Sequence, residues 1–139
     1  MHIHYTKDTS KITANMLNSG FFAGWPNPPT PDTHLRILQS SYLAYVAIDT
    51  KINKVVGFIN AISDGVLSAY IPLLETLESH RGNGIGSELV RLMLANLDDL
   101  YMIDIAHDEN RNTFYDKFNP HRGTLSFFRN YEAQAGKIS

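Results

Sequence analysis

The sequence predicts an α/β (α+β) chain, built on a mixed, mostly antiparallel central sheet with one parallel strand pair that splays apart. Three observations carry this reading. Residues 42–77 are three β-rich runs joined by short polar turns, the pattern of consecutive antiparallel strands. A glycine turn then leads into an amphipathic helix and a further β run, and strands joined through a crossover helix lie parallel. Pro72 stands inside the third run, where it cannot donate a ladder hydrogen bond, so a bulge or break is expected where that strand parts from its neighbour.

Taken in order, Ile3 to Thr6 is a short edge strand, and Asp8, Thr9 or Ser10 caps a helix through Ile12, Met16 and Leu17 that Gly20 ends. Prolines 26, 28, 29 and 31 exclude a regular helix or central strand. Thr30-Pro31-Asp32 then opens a short helix carrying Leu35, Ile37 and Leu38, with proline at its first position. Tyr42–Ile48 and Lys54–Ile62 form a hairpin across the polar residues 49–53, and Asp64-Gly65 makes the next turn. Val66–Leu77 is almost continuously apolar and is expected to be a central strand buried on both faces. Helix Ser87–Leu97 puts Leu89, Val90, Leu92, Met93 and Leu97 on one side. Tyr101–Ala106 is the parallel strand, Thr113–Phe118 a short helix, and Thr124–Tyr131 a last strand before a polar tail.

A length of 139 residues fits a single domain over residues 1–139, and 43% hydrophobic residues can build its core without disulfide or metal. Twelve Lys plus Arg against 14 Asp plus Glu lack the basic footprint of a nucleic-acid binder. The absence of cysteine removes disulfides, thiolate zinc sites and a cysteine nucleophile, and makes the cytoplasm the default location. No apolar run approaches the ~18 residues of a membrane span, and Met1-His2-Ile3-His4-Tyr5 is not a signal-peptide start, so no membrane partner is expected. His2 and His4 share strand spacing but have no acidic partner nearby, and no metal is expected.

The chemistry concentrates at Arg81-Gly82-Asn83-Gly84-Ile85-Gly86-Ser87. Glycines at alternate positions bare the backbone where a helix begins, so the N–H groups of Gly84 to Ser87 can reach a ligand in a favourable dipole field, and Arg81 adds charge. Diphosphate suits such a site. No Lys follows the glycines, which excludes a Walker loop. A dinucleotide fingerprint is one glycine short at Ser87, although Asp104 stands near the position of a ribose-binding acid.

The long apolar strand, R-G-x-G-I-G, amphipathic helix, further strand and Phe-Tyr helix resemble the GNAT N-acetyltransferase superfamily. Residues 81–86 match its coenzyme A signature [QR]-x-x-G-x-[GA], and the order of elements matches from about Tyr42 to Phe118. Leu74-Glu75-Thr76-Leu77-Glu78 departs from the family's L-x-V-x-P at Thr76 and Glu78. The resemblance implies a GNAT-like acyl-CoA N-acyltransferase fold and direct acetyl transfer from acetyl-CoA, as cosubstrate, to a small-molecule or peptide amine. It places the pantetheine in the gap beside Leu74 to Leu77, with an N–H near Thr76 or Leu77 polarising the thioester. Tyr115 takes the position of the acid that protonates coenzyme A sulfur.

Glu75 and Asp104 are the two candidate bases, with His80 and His107 as further titratable groups. By the same resemblance, Phe21, Phe22 and Trp25 sit near the acceptor entrance; taken alone, they are aromatics that cover a sheet face. A homodimer that completes the short C-terminal region is a further expectation. The main alternative function is a coenzyme-A-binding sensor without turnover, and a dinucleotide-binding domain stands behind it.

Overall fold

Strand order follows chain order in this computed structural model, which describes residues 2–138; Met1 and Ser139, the ends of the expected domain, lie outside that range. Five strands run β1 (Ile3–Thr6), β2 (Leu43–Asp49), β3 (Lys54–Ser63), β4 (Ser68–Thr76) and β5 (Met102–Ile105). The first three pairings are antiparallel and β4–β5 is parallel, as the crossover requires. Two turns shape the hairpins. Asn53, at φ 53°, closes β2–β3, and Asp64 closes β3–β4 by accepting N–H bonds from Val66 and Leu67, each at 2.9 Å.

Helices cover both faces. On one face α3 (Ile85–Asn96) buries Ile85, Leu89, Val90 and Met93 against Val56, Ile59 and Ile71. On the other, α1 (Ala14–Leu17) and α2 (Pro31–Ser40) set Met16, Leu17 and Leu38 on Val46, Val55 and Phe58. A fully buried side chain of this kind contributes about 1.5–3 kcal/mol relative to exposure. Gly57 on β3 brings α3 close to the sheet: a Cβ there would stand 2.9 Å from Ile85 Cγ2 and 3.2 Å from Leu89 Cδ1.

Pro72 does what its missing N–H dictates. The β3–β4 register shifts between Asn60 and Ile62, leaving Ile71 and Pro72 opposite the single residue Ala61. The β4–β5 ladder ends at Ile71 and Ile105, immediately before the proline, so the parallel pair splays from there on.

Several expectations are corrected. Asp8 caps only a 3-10 turn at Thr9–Lys11, while Thr13 caps α1, its hydroxyl accepting the Met16 N–H at 3.2 Å. β4 is not buried on both faces: Val66 and Leu67 are exposed turn residues, and Leu73 to Thr76 are only partly covered because β5 has left their side. Residues 124–131 form no strand. That segment is tied at its ends by Arg122, which donates to Asn112 O and Asp116, and by Tyr131 O, which accepts from Asn27 Nδ2; it therefore lies off its own sheet. The single parallel pair also excludes a doubly wound dinucleotide domain, which needs repeated parallel βα units. Among the described residues, no helix is long and apolar enough to cross a membrane.

Candidate active site

The splay opens a cleft of about 680 Å³ between the C-terminal half of β4, the start of α3, the end of β5 and α4 (Asn112–Asp116). Its upper wall is the glycine loop. Gly82 and Gly84 adopt φ 79° and 78°, a left-handed backbone that disfavours any side chain, and no atom lies within 4 Å of where a Cβ would stand. Gly84 caps α3 without a side-chain bond, and the first helical bond runs from Glu88 N to Gly84 O at 3.0 Å. The N–H groups of Ile85, Gly86 and Ser87 therefore have no helical acceptor. Lys117 adds a cation, donating to Ser87 Oγ at 2.6 Å. Open space, free donors and positive charge suit the pyrophosphate of coenzyme A.

The loop is pinned from below. His80 Nε2 lies 2.9 Å from Asp49 Oδ2 at the β2–β3 turn, and His80 Nδ1 lies 2.7 Å from Ser79 Oγ. The His80 hydrogen bond is the main reason that the Asp49 carboxyl is held below the usual carboxylate range. Asn83 Nδ2 donates to His80 O and Arg81 O at 3.0 and 3.2 Å, so its side chain builds the turn and does not line the cleft.

Backbone direction on β4 assigns the floor. Leu77 N donates to Val56 O at 2.9 Å, which commits Leu77 to β3 and leaves it outside the cleft lining. By strand alternation, Leu74 and Thr76 turn their backbone groups to the open side. Thr76 O accepts from Arg81 Nε at 3.1 Å there. The N–H expected near Thr76 or Leu77 to polarise a thioester is thus not that of Leu77.

Glu75 enters the cleft half-buried. Its two carboxylate oxygens accept the Phe22 N–H at 3.1 and 3.3 Å, and Phe22 holds φ 63°, an unusual conformation for a side chain of its size. Burial pushes the Glu75 carboxyl up, against the smaller opposing pulls of the Phe22 N–H and Arg81. Phe22 is itself buried, and with Phe21 and Phe58 it encloses His34 at ring-centroid distances of 4.3–5.2 Å. These aromatics cover the sheet face and at the same time fix Glu75; Trp25 packs on Phe22 from the rim, its ring tilted by 54° at a centroid distance of 4.8 Å.

Tyr115 lines the opposite side, 7% exposed and stacked on His107 at 4.3 Å. Burial pushes its phenol up, so the hydroxyl keeps its proton at neutral pH.

Of the residues singled out in the sequence, the cleft gathers Leu74, Glu75, Thr76, His80, Arg81, Gly82, Gly84, Ile85, Gly86, Ser87, His107 and Tyr115. Leu77, Asn83 and Asp104 stay outside it. Asp104 is exposed on β5 in register with Tyr70, before the strands part. Sequence reasoning missed Lys117 and the Phe22 N–H. Lys117 follows Tyr115 by two residues in a polar-aromatic helix with nothing to distinguish it from a solvated lysine, and a backbone donor leaves no sequence signal.

The sequence profile described as the acetyltransferase (GNAT) family matches residues 11–119. Among solved structures, a protein assigned to the acetyltransferases from Deinococcus radiodurans R1 is similar at 42% identity and a TM-score of 0.93, over 99% of this chain and 94% of that one. A GNAT-family acetyltransferase from Streptococcus pneumoniae TIGR4 is similar at 25% identity and a TM-score of 0.71, over 93% and 100% of the two chains. Glucosamine-6-phosphate N-acetyltransferase from Arabidopsis thaliana shares the fold alone, at 11% identity and a TM-score of 0.70 over 94% and 99%. No protein with a curated description matches. With the family profile spanning most of the chain and a close relative aligned over nearly all of it, the chain belongs to the GNAT acetyltransferase family.

Proposed function

We propose that this chain is an N-acetyltransferase, one domain over residues 1–139, that transfers the acetyl group of acetyl-CoA directly to a primary amine. The observation that supports it best is the coincidence, in one cleft, of a bare glycine loop over helix N–H groups without a helical acceptor, a split strand whose Leu74 and Thr76 backbone faces away from β3, and one carboxyl and one phenol, Glu75 and Tyr115, with raised affinity for protons. Bound there, acetyl-CoA supplies an acetyl group already activated as a thioester.

The chain's own residues do the rest. The N–H groups of Ile85, Gly86 and Ser87, with Lys117 and Arg81, hold the phosphates. Leu74 and Thr76 offer strand-edge hydrogen bonds to the pantetheine amides and align the acyl group beside Glu75. Glu75 takes the proton that the acceptor ammonium must shed before its nitrogen can attack, directly or through one water. The Phe22 N–H keeps that carboxylate turned to the cleft. Tyr115 holds a phenolic proton ready for the departing sulfur. A chain without cysteine has no thiol on which to park the acetyl group, in keeping with direct transfer. Acetyl-CoA use and the lack of cysteine fit a cytoplasmic enzyme.

The test is release of free thiol from acetyl-CoA across amino sugars and their phosphates, aminoglycosides, polyamines and peptides, with the acetylated product weighed by mass spectrometry. Amine-dependent release matched by N-acetyl product is expected. Coenzyme A binding without release for any amine would overturn catalysis and support a sensor, while saturable NAD binding without competition from coenzyme A would overturn the cradle.

A further inference from the structure

Acetyl transfer to an ammonium moves more protons than Glu75 and Tyr115 handle between them. The acceptor nitrogen sheds two on its way to an amide: Glu75 takes the first, and the second leaves once the nitrogen has bonded to the thioester carbon. At that stage Glu75 is already protonated, and it stands across the cleft from Tyr115. Tyr115, having given its proton to the sulfur, is left a phenolate that must recover one, and it is buried where bulk water reaches it poorly. One side chain of the cleft suits both needs. His107 follows Ile105, the last residue of the β4–β5 ladder, by two positions and lines the cleft. Its ring lies on that of Tyr115, with centroids 4.3 Å apart and planes 22° from parallel. Its Nδ1 is 2.9 Å from the carbonyl oxygen of Asp108; a carbonyl only accepts, so Nδ1 carries the hydrogen and the neutral ring keeps its lone pair at Nε2. That Nε2 makes no hydrogen bond among the described residues. The other cleft imidazole, His80, has both nitrogens committed, to Asp49 and Ser79, and the Arg111 guanidinium holds its protons at any working pH.

We propose that His107 is a proton relay that carries the second proton of the acceptor nitrogen to Tyr115, a role that rests on the acetyl transfer proposed above. As the C–N bond forms, Nε2 takes that proton from the nitrogen, directly or through one water. The tetrahedral centre then collapses, the C–S bond breaks, and the sulfur takes the Tyr115 proton. The imidazolium gives its Nε2 proton to the phenolate, which restores both rings. Ammonium and thioester thus become amide, free thiol and one proton, the one that Glu75 passes to water. The packing favours the charged stage: an imidazolium against the face of a phenol ring is held by cation–π attraction, and the Asp108 carbonyl accepts from Nδ1 throughout.

Two substitutions separate a relay from a packing residue. His107→Phe keeps a ring against Tyr115 and removes the base, while His107→Ala leaves room for free imidazole. Both are shown folded by circular dichroism and assayed with acetyl-CoA and the amine of the panel above that is turned over fastest. Each should lose at least ~10-fold in kcat while binding acetyl-CoA as wild type does in calorimetry. Added imidazole should restore most of the loss in His107→Ala, counted as N-acetylated acceptor, and none of it in His107→Phe. Unchanged kcat in His107→Phe would overturn the relay and leave water to recharge the phenol. A loss in His107→Ala that imidazole does not repair would overturn it in favour of packing alone. A wild type that binds acetyl-CoA and releases thiol with no amine would fail one step earlier, taking down the transfer itself and the relay with it.

Discussion

Acidification tests how tightly the Glu75 side of the cleft depends on one buried histidine. His34 is 1% exposed, its Nε2 has no hydrogen-bond partner among the described residues, and burial lowers its pKa from 6.5 to about 4. The unfolded chain therefore binds a proton that the buried ring refuses, so folding stability falls as pH drops from 6.5 towards 4. Integrating that difference gives a loss of about 2 kcal/mol between pH 7 and pH 5 from His34 alone. Because His34 is packed among Phe21, Phe22 and Phe58, the same loss weakens the platform that holds the Phe22 N–H on Glu75. His34→Leu keeps similar volume and removes both the titration and the unpaired nitrogen. At pH 7 the variant should lie within about 1 kcal/mol of wild type, relief of the orphaned nitrogen offsetting the lost ring contacts. At pH 5 it should be the more stable chain. Urea titrations followed by the fluorescence of the single tryptophan, Trp25, measure both proteins at each pH. Stability curves that fall in parallel with acid for wild type and variant would refute the reasoning.

Three further outcomes follow from the same geometry. Tyr115→Phe should lower kcat by about 10²–10⁴-fold with little change in acetyl-CoA affinity, in steady-state kinetics paired with calorimetry; unchanged turnover across pH removes Tyr115 from the mechanism. Glu75→Gln keeps an acceptor for the Phe22 N–H but no base, so kcat/KM should fall and lose its rise with pH. In the wild type that rise passes through a value above the ordinary carboxyl range. Because a raised carboxyl pKa costs folding stability as pH climbs through it, thermal melts of Glu75→Gln at pH 7 should match or exceed wild type. Gly57→Val should destabilise the chain by about 1–3 kcal/mol in urea titrations, since its side chain would press on Ile85 and Leu89 at contacts already at 2.9 and 3.2 Å for a Cβ.

The features legible in the sequence were those with a local cause. Pro72 forbids a donor wherever it sits, and the register shift and the end of the parallel ladder fall beside it. Gly82 and Gly84 announce a left-handed turn by residue type, and both adopt one. Partnership was not legible. Thr124–Tyr131 has strand composition, but a strand forms only where an edge is within reach. Alternation shows that Leu77 and Thr76 point opposite ways without saying which of them faces β3, and the Val56 bond decides against Leu77. Asp104 looked poised for chemistry by its place on a strand, yet it sits before the point where β4 and β5 separate. Glu75 was found by type and position, whereas the contact that orients it, from a backbone N–H 53 residues away, exists only after folding.

The cleft beneath the Gly84 loop as the acetyl-CoA site is the central claim about function, and calorimetric titration of acetyl-CoA into wild type and Gly84→Val tests it most directly. With circular dichroism showing both proteins folded, wild type should bind one equivalent. The variant, whose branched side chain fills the open space over the helix N–H groups, should bind at least ~10-fold more weakly, a loss of about 1.4 kcal/mol or more. Equal affinity in the two proteins would contradict the account.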